Sequence, residues 1–147
     1  MRLELNINPE IKEETITIHT RALTPELSLI IRQLEDMISV KKLYGRDGED
    51  VYPINVSHVT QFIVENKVVY ALLTNDRKLR LEQRLYQIEE MMDHRFVRIS
   101  KSEIINIEFI DYLHVNSNGM IEIFMKQGEH TYSSRHYLKA IKERLEI

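Results

Sequence analysis

From Phe96 to Asn106 the chain reads Phe-Val-Arg-Ile-Ser-Lys-Ser-Glu-Ile-Ile-Asn: an alternating stretch, a short polar break, then an apolar stretch. Phe96, Arg98 and Ser100 alternate with Val97, Ile99 and Lys101, and a period of two is the mark of extended backbone with two unlike faces. This commits the middle of the chain to a hairpin. The break gathers Ser100, Lys101 and Ser102, whose hydroxyls and ammonium can bond a phosphate or a base edge. An ordinary solvated β-turn uses the same residue types, and this stretch alone does not separate the two readings.

The same punctuation recurs along the chain. Asp47-Gly48, Glu65-Asn66-Lys67, Asn75-Asp76-Arg77, Asn116-Ser117-Asn118-Gly119 and Gln127-Gly128 separate apolar runs rich in β-branched residues, including 51–54, 59–64, 68–73 and 120–125. Ile105, Ile107 and Phe109 continue the alternation after the central hairpin. Leu81, Leu85, Ile88 and Met92 recur at steps of four, three and four, which predicts a helix between two β regions. Leu138, Ile141 and Leu145 predict a terminal helix over 135–145, with Ser134 as its N-cap. Arg135 and His136 then fall in its first turn, where cations cost a few tenths to ~1 kcal/mol against the helix dipole. A bound anion would reverse that sign, using free N–H groups, a hydroxyl, a guanidinium and an imidazole. Both side chains turned into water fit equally well.

Residues 1–40 read differently. Leu3, Leu5 and Ile7, then Ile16 and Ile18, predict two short strands. Thr24-Pro25-Glu26 supplies an N-cap, a first helical residue and a first-turn acid. Leu27, Ile30, Ile31, Leu34, Met37 and Ile38 mark an amphipathic helix. A ββα piece of this size is too small to stand alone, so its apolar stripe is expected to dock on the main body or on a second copy. The expected architecture is mainly β with three helices: an N-terminal ββα appendage, 1–40, and a β domain, 41–147.

Composition narrows the function. The net charge is −3 in 147 residues, but residues 1–40 carry seven acidic and four basic side chains, leaving 16 of each in the remainder. The larger part is neutral and can still carry a local basic stripe, which is all that phosphate binding needs. The absence of cysteine removes disulfides and thiolate chemistry and suits a reducing compartment. No apolar run approaches the ~20 residues of a membrane span, and the amino terminus lacks a signal-peptide core, so a cytoplasmic location is expected. The histidines, at 19, 58, 94, 114, 130 and 136, never fall three to five residues apart, so no helical metal motif exists. Gly45, Gly48, Gly119 and Gly128 suit hairpin turns rather than a phosphate loop. The serines lack a nucleophile elbow. No enzyme activity, cofactor, metal or small-molecule substrate is expected.

From about Lys41 to Ile147 the chain resembles the LytTR DNA-binding domain of bacterial response regulators of the LytR and AgrA type. The resemblance is carried by Arg95-Phe96-Val97-Arg98-Ile99-Ser100-Lys101-Ser102, by Ile104-Ile105-Asn106, and by Ser134-Arg135-His136-Tyr137 before a terminal amphipathic helix. It implies small antiparallel sheets whose loops enter successive major grooves, and dimers on paired direct-repeat promoter sites. The implied contacts fall in three loops: Asn66 and Lys67; Ser100, Lys101 and Ser102; Ser134, Arg135 and His136. Two departures stand out. Val69 occupies a position where the family often has a polar contact, and Ser100 one where it favours a basic or amide residue. Asn106 fits the family's motif, but inside an apolar run it reads as a buried side chain bonded to backbone.

Residues 1–40 are too short, and lack the acidic cluster, for a phosphotransfer receiver. The arrangement is similar to the short stand-alone LytTR regulators, which implies a restraining membrane-protein partner. The expectation is a homodimeric, sequence-specific regulator on double-stranded DNA. Its rival is a protein-interaction module that works through dimerisation or a membrane partner without DNA. Salt separates them: phosphate contacts weaken steeply with salt, whereas an apolar interface barely responds.

Overall fold

The computed structural model describes residues 1–38 and 42–147, and the chain divides into two compact units, Met1–Val40 and Lys41–Ile147. In the first unit, helix α1 spans Pro25–Ile38. It starts where Thr24 Oγ1 accepts from the Leu27 N–H at 3.1 Å, with proline at the first helical position, where an N–H would have no intrahelical partner. The two strands expected before it do not form. Residues 1–24 hold a turn at Asn8, and no strand forms among them. A two-stranded ribbon is marginal unless a third element covers its apolar face. Here Leu3, Leu5 and Ile7 remain 95%, 84% and 79% exposed.

Among its described residues the second unit carries ten strands. Seven build one antiparallel sheet in the order β2-β1-β5-β4-β3-β7-β6, and three build another in the order β10-β9-β8. Strands β1 (Leu43–Asp47) and β2 (Asp50–Ile54) are closed by Gly48-Glu49. Gly48 has φ +62 and Glu49 is not left-handed, which is how a II′ turn uses glycine at its first central position. Strands β3 (Val59–Glu65), β4 (Val68–Leu73) and β5 (Lys78–Leu81) follow as a meander. Leu81 therefore ends a strand instead of starting a helix. Its spacing to Leu85 suits either period, and Lys78-Leu79-Arg80-Leu81 alternates buried and exposed. Helix α2, Leu85–Met91, connects β5 to β6 of the same sheet rather than separating two sheets.

The hairpin of β6 (Phe96–Ser100) and β7 (Glu103–Asn106) is the wall between two cores. Phe96 and Ile104 join Leu43, Val59, Phe62 and Ile88 on one side. Val97, Ile99 and Ile105 join Ile121, Ile123, Met125 and Ile141 on the other. Each such buried aliphatic or aromatic side chain contributes about 1.5–3 kcal/mol relative to exposure, so this hairpin is held from both faces. Asn106 closes it as the apolar context suggests. Fully buried, it donates Nδ2 to the Val59 carbonyl at 2.9 Å and accepts the Glu108 N–H at 3.0 Å. That second bond caps a 3-10 helix over Ile107–Phe109, where alternation alone suggests more strand.

Strands β8 (Ile110–Val115), β9 (Ile121–Met125) and β10 (His130–Tyr132) form the small sheet. The terminal helical region begins as a 3-10 helix, Arg135–Tyr137, and becomes α3 only at Leu138–Leu145. Arg135 and His136 thus precede the α-helix, and the expected placement in its first turn is corrected. Among the described residues the result is the mainly β, three-helix architecture of small antiparallel sheets.

Candidate nucleic-acid interface

Three polar tips close the second unit, and strand order decides that they meet. The first is the two-residue loop Asn66-Lys67 between paired Glu65 and Val68. Both loop residues are left-handed, with φ +49 and +65, the requirement of a type I′ turn. Asparagine tolerates that conformation. Lysine there costs of order 1–3 kcal/mol relative to an unstrained residue. The exposed Lys67 side chain is therefore held at the tip at some expense to the fold.

The second tip is Lys101-Ser102 between paired Ser100 and Glu103. Ser100 is half-buried, and its hydroxyl accepts the Ser102 N–H at 3.2 Å and lies 3.3 Å from the Ser102 hydroxyl. Ser100 shapes the turn, while Lys101 and Ser102 are exposed on it. Strand β7 lies antiparallel beside β3, with Ile63 opposite Glu103, and the Val64 N–H donates to the Ser102 carbonyl at 2.9 Å. The first two tips are therefore neighbours on one sheet end, about 10 Å apart given the interstrand spacing.

The third tip is tied to the second. A register shift in β6 between Arg98 and Ser100 leaves Ile99 out of the ladder, as a β-bulge does. Its carbonyl is then available to the Ser134 N–H at 2.8 Å. Ser134 starts the 3-10 helix through its carbonyl, which accepts from Tyr137 N–H at 3.0 Å. Arg135 and His136 are exposed, the His136 ring meeting Tyr137 edge-on at 5.1 Å. Among the described residues no carboxylate pairs with Lys67, Lys101 or Arg135.

Arg98, which the sequence places in the alternating stretch and in the family motif without a role of its own, links these parts. Its Nε donates to the Ser100 carbonyl at 2.7 Å and its Nη2 to the Lys101 carbonyl at 2.8 Å. Nη1 pairs with Glu89 of α2 at 2.8 Å, and the guanidinium stands 5.8 Å from the centroid of Tyr137. One planar fork of donors thus holds the second tip and borders the third. Glu103, just after the second tip, accepts from Gln61 on β3 and from Thr131 on β10. Burial pushes its carboxyl above the ordinary glutamate range, and those two bonds offset this only in part.

The edge so built is a row of exposed cations, hydroxyls and one amide on a rigid β frame, an arrangement suited to phosphates and base edges. A family model, the LytTr DNA-binding domain, matches residues 49–146. The chain belongs to the LytTr DNA-binding domain family. Over its full 147 residues it is 42% identical to an HTH-type transcriptional regulator of Staphylococcus aureus strain MSSA476, covering 100% of this chain and 99% of the relative. It is 40% identical, with the same coverage, to the corresponding protein of the bovine strain RF122. A solved LytTr DNA-binding domain from Bacillus cereus superposes with a TM-score of 0.68 at 18% identity, over 72% of this chain and 97% of that one; this establishes the shared fold. The relatives are named as HTH-type, yet the described residues hold no helix-turn-helix. Among the described residues no two α-helices follow one another in the chain.

Proposed function

We propose that this chain is a sequence-specific, DNA-binding transcriptional regulator that reads direct-repeat sites by placing its hairpin tips in successive major grooves. Lys67, Lys101, Arg135 and His136 reach phosphates or base edges, with Asn66, Ser102 and Ser134 beside them and Ser100 shaping the turn. The observation that carries this reading is the pair of backbone bonds, Val64 N–H to Ser102 and Ser134 N–H to Ile99, that lock three uncapped tips to one end of the fold. Family membership supports it. The reading includes a homodimer, with residues 1–40 as the dimerisation element, because the exposed alternating Leu3, Leu5 and Ile7 present an apolar edge that a second copy can cover. Among the described residues no helix is long and apolar enough to cross a membrane, in keeping with a cytoplasmic regulator. Selection of duplexes from a random pool tests the whole reading. A repeated half-site about one helical turn apart is expected, with binding that weakens steeply as salt is added; an unenriched pool overturns it.

A further inference from the structure

We propose a second contact to the DNA backbone beside the first tip, in the cleft lined by Arg46, Lys67, Arg80 and Arg84. It extends the DNA-binding reading above and rests on it. The cleft encloses about 940 Å³, and its lining includes these four cations and a single carboxylate, Glu82. In a chain of net charge −3, that local balance runs against the overall sign. Glu82 is already committed to Arg46, Oε1 to Nε at 3.1 Å. Lys67, Arg80 and Arg84 form no ion pair among the described residues. Arg46 and Arg80 stand directly opposite each other on β1 and β5, and like charges so placed repel. A bound anion turns that repulsion into attraction.

The occupant argued for is the phosphodiester backbone of the duplex that the tips engage. A major groove is about 12 Å wide, so a tip seated in it has a backbone about 6 Å to either side. Strand β5 lies beside β4, about 5 Å from the strand that leaves the first tip. The cleft therefore flanks the tip at the distance where that backbone runs. Its cations come from β1, the first tip, β5 and the start of α2, a spread that suits a chain of phosphates better than one small anion.

Duplexes selected by the wild-type chain supply the probe. In the full chain, Arg80→Gln with Arg84→Gln removes two exposed charges. It spares the helix start, which uses the Arg84 backbone N–H to Gln87 Oε1 at 2.9 Å. The slope of log affinity against log salt is expected to fall by about 1.8, from about 0.9 for each phosphate lost, with base preferences unchanged. Lys126→Gln, an exposed charge on the β9–β10 turn, should keep the wild-type slope. A wild-type slope in the double variant, or an equal loss in Lys126→Gln, overturns the proposal. A wild-type chain that selects no duplex overturns instead the DNA-binding reading beneath it.

Discussion

The Arg98 guanidinium donates to the Lys101 carbonyl at 2.8 Å while its Nε donates to Ser100 at 2.7 Å. Hydrogen bonds from a charged group contribute about 1.5–3 kcal/mol each, and these two fix the turn that carries Lys101. Arg98→Lys keeps the charge but offers one compact ammonium for three acceptors. We predict operator affinity reduced roughly tenfold, about 1.4 kcal/mol, with only a modest drop in melting temperature. Fluorescence anisotropy beside thermal melts checks it; full affinity in a folded Arg98→Lys variant contradicts it.

Lys101→Ala and His136→Ala remove exposed groups that no ion pair engages among the described residues. If the lost contact is to a base, affinity falls by ~1–3 kcal/mol and preference relaxes at one position. If it is to a phosphate, affinity falls evenly across sequences and the salt slope drops by about 1. Binding isotherms that match wild type for both variants would refute the assignment.

Asn106 gives the opposite pattern. Asn106→Ala takes the side-chain partner from the buried Val59 carbonyl and from the Glu108 N–H; the buried carbonyl left unsatisfied costs about 1–3 kcal/mol, while the exposed Glu108 can turn to water. Urea unfolding should show a lower midpoint, while affinity per folded molecule stays at the wild-type value. A variant with normal stability but weakened DNA binding would instead place Asn106 in the interface.

Glu103 predicts a pH dependence. Burial raises its folded pKa above the unfolded value, so the folded chain keeps a proton that the unfolded chain has released. The stabilisation is complete below the ordinary glutamate range and is lost as pH rises through the raised folded value. Glu103→Gln can still bond both Gln61 and Thr131, so it should flatten this decline and be at least as stable as wild type at neutral pH. Unfolding free energies measured from pH 4 to pH 8 decide it; parallel curves for the two proteins contradict it.

Leu3→Asp with Leu5→Asp places charge on the exposed apolar edge of residues 1–24. Sedimentation velocity should show a dimer for the wild type and a monomer for the variant, since an unpaired charge in an apolar interface is strongly unfavourable. Equal oligomeric states would remove residues 1–40 from dimerisation.

Much of this fold is legible in the sequence where pattern and burial agree. The hairpin 96–106 alternates because each of its faces meets a separate core, and Asn106 stands out because nothing polar belongs in that run without a bond. The cap at Thr24 is local chemistry and reads directly. Leu81 misleads because one apolar residue four places from another fits both a strand end and a helix turn. The amino-terminal alternation misleads for another reason: period two describes a strand that is ready to pair, and among the described residues no strand pairs with it. Arg98 stands in the family motif, but its role is illegible there because its value lies in carbonyls that a turn presents only after folding. That the tips share one edge depends on β3 lying beside β7 and on the bulge at Ile99, both non-local facts.

The most direct test of three tips on one edge uses the absence of cysteine. Asn66→Cys, Ser102→Cys and Ser134→Cys, made one at a time in the full chain, can each carry a DNA-cleaving reagent onto a selected duplex. Cuts from all three positions on a single face of the helix, displaced along it in the order of the tips, are the expected result. Cuts confined to one of the three positions, or scattered around the helix, would contradict it.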